Sequence, residues 1–200
     1  MSLTSDLPKL PGHESLSKPV SPVSPEEIVF SKDFPAAGYN ISLRRFCIST
    51  DMQAIYHWAW KTSTAAKLLA SSYVYTHESN FARSYMVFLN DTIPVCQVDI
   101  CRSLQDDICD HYKVSPGDYI VRIIVHLQKK KNRRFYVDVL RCCLEYFFSS
   151  TEVERIIIEP DVENERYNDL VIHSGFRFLQ RIYQPYKASN LYYCTRESFV

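Results

Sequence analysis

Two short stretches of the sequence carry side chains suited to acid–base chemistry. Arg122 and His126 alternate with Ile124 along one apolar run, and Asp161 lies in the sequence Glu-Pro-Asp-Val-Glu-Asn after another. An imidazole such as His126, or a carboxylate such as Asp161 whose pKa burial raises, can take a proton from an amine near neutral pH. The guanidinium of Arg122 cannot act as a base, but it can bind a carboxylate or orient a substrate. Each group also has a purely structural interpretation, since Arg122 and Asp161 could form an ion pair and His126 could be an ordinary strand residue.

The elements that must position these groups follow from hydrophobic periodicity. Asp51 is the predicted N-cap of a first helix, Asn90-Asp91 a hairpin turn, and Gly175 the residue that stops the last helix. The segment 104–112 reads as a short helix or an acidic loop. Strands are predicted over 39–48, 84–89, 93–101, 119–127, 155–158, 176–183 and 191–195, and further helices over 64–71, 134–148 and 163–174. This order predicts a single α/β (α+β) domain with a mixed central sheet of about seven strands and flanking helices.

Composition limits the class of protein. Lys+Arg and Asp+Glu both number 23, so the chain lacks the excess of basic residues expected of a binder of nucleic acid or of membrane surfaces. It shows neither a long apolar run nor a signal-peptide pattern, so we expect a soluble, cytoplasmic protein without membrane contact. Seven cysteines occur without a Cys-x-x-Cys pair, which favours reduced thiols over a metal site or disulfides.

The first 38 residues differ from the rest in composition. They contain six prolines and little apolar periodicity, so we predict a proline-rich N-terminal arm over 1–38, flexible or strapped across the domain, and a folded domain over 39–200. Recruitment of a protein partner through this arm is a further possible role.

Three pieces of the second half carry a resemblance to a known family. They are Gly117-Asp118-Tyr119, the stretch Glu159 to Asn164, and Gly175-Phe176 followed by Gln184-Pro185-Tyr186-Lys187. Together with their spacing, they resemble the siderophore-biosynthesis branch of the GNAT acyltransferases, which acylates hydroxylysine-type side-chain amines. The resemblance covers about residues 40 to 196. It implies that the fourth and fifth strands splay apart and that acetyl-CoA or another acyl-CoA is the cosubstrate, with no metal.

The resemblance also implies where the acyl-CoA binds. The pantetheine lies along strand four, here near Ile124, and the pyrophosphate sits at the N-terminus of the following helix. In the family the loop that enters this helix contains glycines, whereas Arg134 and Tyr136 stand at those positions in this chain. Either side-chain charge replaces the close backbone contact, or the phosphate site is lost. The candidate cofactor-binding residues are Ile124, Lys131, Asn132, Arg133, Arg134, Phe135 and Tyr136.

The catalytic assignments implied by the resemblance are incomplete. Arg122 occupies the position of the family's catalytic histidine, Asp161 matches its second proposed catalytic residue, and His126 is a candidate substitute base. The candidates for substrate contact are Lys187, which matches a Pro-x-Lys piece of the family, together with Asp99 and Trp58. The expected function is acyl-CoA-dependent N-acylation of a small-molecule amine or hydroxylamine. The alternative is a degenerate GNAT domain retained as a binding or scaffold module, with Arg122 and Tyr136 filling the splay.

Overall fold

In a computed structural model of the chain, the structure describes residues 27–59, 82–125, 132–185 and 187–199. These residues form an α/β domain with three helices, α1 (Ile48–Ala59), α2 (Arg133–Ser149) and α3 (Glu165–His173). The strands are β1 (Ile28–Phe34), β2 (Tyr39–Arg45), β3 (Ala82–Leu89), β4 (Ile93–Arg102), β5 (Asp118–Val125), β6 (Arg155–Ile158), β7 (Arg177–Gln184) and β8 (Lys187–Thr195). The predicted fold class is confirmed. None of the helices in the described part of the chain is long and apolar enough to cross a membrane.

One mixed sheet holds all eight of these strands, in the order β1-β2-β3-β4-β5-β6-β8-β7. Neighbouring strands run antiparallel except β5 and β6, which are parallel. The sheet has one strand more than predicted because β1 pairs with β2 along its whole length. The sheet therefore begins at Ile28, inside the segment predicted as an arm. Residues 1–26 lie outside the described residues, as does the predicted helix over 64–71.

The prediction that Asp51 is the N-cap of the first helix is wrong, because α1 begins three residues earlier, at Ile48. Asp51 acts from within the first turn, where its carboxylate accepts a hydrogen bond of 2.7 Å from the backbone N–H of Cys47. The same carboxylate forms two bonds, of 2.6 and 2.8 Å, with the guanidinium of Arg44. This pair fixes the start of α1 against the end of β2.

The two faces of the sheet have different coverings. The α2 helix contributes most of its apolar side chains to the main core, together with Tyr119 and Val121 of β5. On the opposite face, Ile120 belongs to a second cluster and Ile124 packs with Ile55 of α1 in a third. Because side chains alternate along a strand, Arg122 lies on this opposite face, away from α2.

The only parallel pairing of the described sheet is short. It covers Asp118 to Ile120 of β5, opposite Arg155 to Ile157 of β6, and β5 then continues to Val125 paired with β4 but not with β6. The splay predicted between the fourth and fifth strands is therefore present, as a divergence of β5 and β6. At its closed end, a Cβ on Gly117 would lie 2.7 Å from the Glu154 side chain, so this close approach needs glycine.

Candidate functional site

Arg122 lies at the opening between β5 and β6 and bridges it with two carboxylates. Its guanidinium bonds Asp106 at 2.5 and 2.7 Å, and one of its nitrogens lies 3.6 Å from Glu159, the first residue after β6. Asp106 is buried and lies between two short 3-10 turns, Ser103–Gln105 and Asp107–His111, in the segment predicted as a short helix or acidic loop. Burial opposes the charged form of Arg122, but the hydrogen bond and charge of Asp106 outweigh it and raise its pKa above the usual value for arginine. Arg122 is therefore a permanent cation at this opening.

Glu159 collects the polar groups that the last hairpin brings to the same opening. The side-chain amide of Gln184 donates to its carboxylate at 3.2 Å, and the ammonium of Lys187 lies 3.8 Å away. Lys187, predicted to contact the substrate, thus lies near Arg122 through their shared neighbour Glu159. The opening carries two cations and two carboxylates within a few ångströms.

Asp161 is engaged in the turn that leads to α3. Its carboxylate accepts a hydrogen bond of 2.9 Å from the backbone N–H of Glu163, and its carbonyl accepts one of 2.7 Å from Asn168. Its backbone also forms an isolated bridge with Ser189 of β8. The structural alternative, an ion pair between Asp161 and Arg122, is absent, because Arg122 bonds Asp106 and lies beside Glu159 instead.

Asp99 lies on the same face of the sheet as Arg122. The two residues are direct partners in the register of β4 and β5. The buried carboxylate of Asp99 accepts hydrogen bonds from the Ser84 hydroxyl at 2.5 Å and from the Gln97 amide at 2.9 Å. These contacts hold an acidic group beside the opening, within the sheet surface that faces α1.

The N-terminus of α2 carries the predicted phosphate site. Asn132 caps the helix by accepting a hydrogen bond of 3.1 Å from the backbone N–H of Phe135. Arg133 pairs with Asp169 of α3 at 2.9 Å, and Arg134 is exposed. An open cavity of about 390 Å³ lies here, lined by Asn132, Arg133, Arg134, Val137 and His173. Cationic side chains and a helix N-terminus together favour an anion.

Two of the predicted cofactor-binding side chains point elsewhere. Phe135 and Tyr136 are buried in the main core, with their rings in edge-to-face contact at 5.2 Å, and Phe135 also contacts Tyr39. The prediction that these two side chains take part in phosphate binding is not supported by their placement, because helical periodicity turns both toward the sheet. The bulk of Tyr136 is thereby removed from the helix N-terminus.

The remaining candidate site residues lie in an apolar cluster or outside the described structure. Ile124 is half-buried against the apolar cluster of α1. Trp58 lies in the last turn of α1, and its side chain is outside the described part of the structure. His126 and Lys131 lie outside the described residues altogether. Within the described ranges, no group of three or more His, Cys, Asp or Glu residues could hold a metal ion, and the seven cysteines are free thiols.

Glu159, Asp106 and Tyr167 were not predicted as site residues. Asp106 and Glu159 are brought to Arg122 only by the turns after β4 and the end of β6, which no local pattern signals. Burial raises the pKa of the Tyr167 phenol, and the nearby thiols of Cys96 and Cys143 and the charge of Glu159 add to this rise. The phenol therefore stays neutral and keeps its proton.

A comparison with models of known protein families identifies the family of this chain. The family model described as the acetyltransferase (GNAT) domain matches residues 49–183. This match covers more than half of the chain, so the chain belongs to the GNAT acetyltransferase family. The opening between β5 and β6 and the anion site at α2 are then the elements that the resemblance associates with the acyl-CoA.

One curated relative is the N(6)-hydroxylysine O-acetyltransferase of Escherichia coli. It is 24% identical over 110 residues, which are 54% of this chain and 35% of that protein. The chain thus spans about a third of the length of this relative.

Solved structures share the fold at low identity. An uncharacterized protein from Bacillus halodurans has a TM-score of 0.73 at 16% identity, covering 85% of this chain and 91% of its own. The aminoglycoside acetyltransferase AAC(6')-Ib, solved with coenzyme A, has a TM-score of 0.66 at 18% identity, covering 80% of this chain and 96% of its own. RimJ of Mycobacterium smegmatis, solved with CoA-disulfide, has a TM-score of 0.60 at 14% identity, covering 79% of this chain and 83% of its own.

Proposed function

We propose that this protein transfers the acetyl group of acetyl-CoA to an amine or a hydroxylamine group of a small molecule. The observation that carries the proposal is the divergence of β5 and β6 after three paired residues, with charged side chains at the opening and cations at the N-terminus of α2. Beyond Ile120, the backbone groups of β5 that point away from β4 have no partner strand in β6 and are available to an extended ligand, which needs hydrogen-bond partners of its own.

The two ends of the opening suit the two ends of acetyl-CoA. The phosphates carry negative charge and fit the cavity of Asn132, Arg133 and Arg134 beside the helix N-terminus. The pantetheine would pass along β5 toward Arg122 and Glu159, where the thioester meets the acceptor. In this arrangement side-chain charge takes over the part that loop glycines play in the family.

The transfer requires two proton movements. The attacking nitrogen must lose a proton, for which the carboxylates after β6, Asp161 and Glu159, are the candidates, with His126 as a further one. The departing thiolate of CoA must gain a proton, and Tyr167 of α3, whose phenol keeps its proton, is the candidate donor. Arg122 stays charged throughout and orients groups without exchanging protons.

A hydroxylysine-type amine is the acceptor that the available resemblances favour. The Glu159 to Asn164 stretch is similar to the siderophore-biosynthesis branch, and the E. coli relative is named an N(6)-hydroxylysine O-acetyltransferase. The scaffold alternative predicted that Tyr136 and Arg122 fill the splay. Arg122 does lie at the opening, but the ring of Tyr136 packs with Phe135 in the main core. The enzyme is therefore the stronger proposal.

The phosphate site can be tested with Arg133→Ala/Arg134→Ala. We expect this double variant to bind acetyl-CoA about tenfold more weakly or worse, because a hydrogen bond to a charged group contributes roughly 1.5–3 kcal/mol. Isothermal titration calorimetry at two salt concentrations gives the affinity and its electrostatic part. Arg177→Ala, which removes an exposed cation at the start of β7, is the matched control. Equal affinities of the double variant and the wild type would place the phosphates elsewhere.

A further inference from the structure

Glu159 is a mostly buried carboxylate at the opening between β5 and β6, with few close partners. Its side chain is 11% exposed. It alternates with Ile157, so it points to the same face of the sheet as Arg122, away from α2. Glu159 begins the stretch that resembles the family, but the resemblance gives a catalytic role to Asp161 and none to Glu159.

The hydrogen-bonding capacity of this carboxylate is largely unused. An ionised carboxylate can accept about four hydrogen bonds, and among the described residues the one hydrogen bond that Glu159 accepts comes from Gln184 at 3.2 Å. The nitrogens of Arg122 and Lys187 lie at 3.6 and 3.8 Å, beyond normal hydrogen-bond length. The short bonds of Arg122 go to Asp106. Two cations thus face Glu159 without saturating it.

Gln184 adds a second unused acceptor at the same point. Because Glu159 only accepts hydrogen bonds, the amide must turn its Nε2 toward the carboxylate, which leaves Oε1 facing away from it. Gln184 Oε1 is buried and has no hydrogen-bond partner in the described structure, and neither has the hydroxyl oxygen of Ser189 nearby on β8. A buried acceptor without a donor costs about 1–3 kcal/mol, so it points to a ligand that supplies donors.

We propose that Glu159 and Gln184 form the subsite that receives the reacting nitrogen of the acceptor, and that this nitrogen carries at least two N–H or O–H donors. A protonated amine or a hydroxylamine meets this requirement, whereas a tertiary amine or an ester does not. The assignment rests on the proposed acetyl transfer and moves its centre from Asp161, which is engaged in a turn, to Glu159. Arg122 and Lys187 act as positioning residues that fix the carboxylate from two sides.

The proposal is tested with Glu159→Gln and Gln184→Met in the full chain, using lysine and N(6)-hydroxylysine as acceptors. We expect each variant to raise the KM of the acceptor about tenfold or more, the scale of one lost hydrogen bond to a charged group. The affinity for acetyl-CoA, measured by calorimetry, stays within about twofold of the wild type, because the phosphate site is elsewhere. Glu163→Gln removes an exposed charge four residues away and is the matched control.

The outcomes separate this subsite from the proposed function. If the wild type does not bind acetyl-CoA, the proposed function fails. If it binds acetyl-CoA and acetylates neither acceptor, the proposed acetyl transfer to a hydroxylysine-type amine fails as well. If it transfers acetyl and both variants keep the KM of the wild type, Glu159 and Gln184 are not the subsite. Thermal unfolding verifies that each variant is folded. If Glu159→Gln does not fold, Glu159→Asp replaces it in the test. This variant keeps the charge on a shorter side chain, and we expect its KM to lie between that of the wild type and the tenfold increase.

Discussion

Replacing Asp118 with asparagine is expected to lower the free energy of unfolding by about 3 kcal/mol or more. The Asp118 carboxylate is almost fully buried and accepts bonds of 2.8 and 2.5 Å from two nitrogens of Arg155. It also accepts a bond of 2.8 Å from the backbone N–H of Ser115. The hydrogen bond to Asp118 raises the pKa of Arg155 against the effect of burial, so the arginine stays charged and would lose its partner.

The same substitution should disturb the site as well as the fold. Asp118 and Arg155 are partners at the first step of the parallel β5–β6 pairing, where the two strands are held together before they diverge. Urea unfolding of Asp118→Asn and of Asp107→Asn, an exposed aspartate on a 3-10 turn, separates the buried pair from a general charge effect. The control should change stability by about 0.5 kcal/mol or less. An equally small change in Asp118→Asn would contradict the role given to this pair.

Arg122→Met is expected to destabilise the fold by about 2–3 kcal/mol and to reduce acetyl transfer. Asp106, with 4% of its side chain exposed, would keep only one backbone donor at 3.2 Å, from Ile108, and a weak contact from the Cys101 thiol. A buried carboxylate without its cation is costly. Glu159 would lose one of its two neighbouring cations.

A double-mutant cycle isolates the part due to the Arg122–Asp106 pair. The double variant Arg122→Met/Asp106→Leu should be more stable than the sum of the two single effects predicts, because it leaves no unpaired charge. Arg122→Lys should be intermediate, since an ammonium cannot bond both carboxylate oxygens in parallel. Additive effects in urea unfolding would show that the two side chains do not interact.

Local patterns predicted the parts of the fold that depend on neighbouring residues. The strand over Arg155–Ile158 has the predicted bounds, and Asn90 and Asp91 adopt the positive φ angles, 50° and 58°, of a tight hairpin turn. Gly175 follows α3 with φ 104°, as expected of a residue that ends a helix. β1 was missed because an edge strand with one buried side chain has little apolar alternation to detect.

The site was predictable only where a side chain belongs to a local motif. Asn132 and Arg133 follow from the loop that enters a helix, and Arg122 and Lys187, which the resemblance put forward, both lie within 3.8 Å of Glu159. The contacts of Glu159 come from Arg122 of β5 and from the β7–β8 hairpin, more than twenty residues later in the chain. Such long-range pairing is not encoded in spacing. The orientation of the Tyr136 side chain toward the core likewise depends on how α2 packs on the sheet. A comparison of loop residues with the family does not predict this packing.

The central claim is that the opening between β5 and β6 supports acetyl transfer although the loop glycines of the family are missing. The most direct measurement is acetyl-CoA turnover by the wild-type protein, following release of free CoA thiol and the mass of the product, with lysine and N(6)-hydroxylysine as acceptors. We predict thiol release that depends on the acceptor, together with an acetylated product. Binding of acetyl-CoA without acceptor-dependent release, or no binding at all, would contradict the claim and favour a domain that has lost its chemistry.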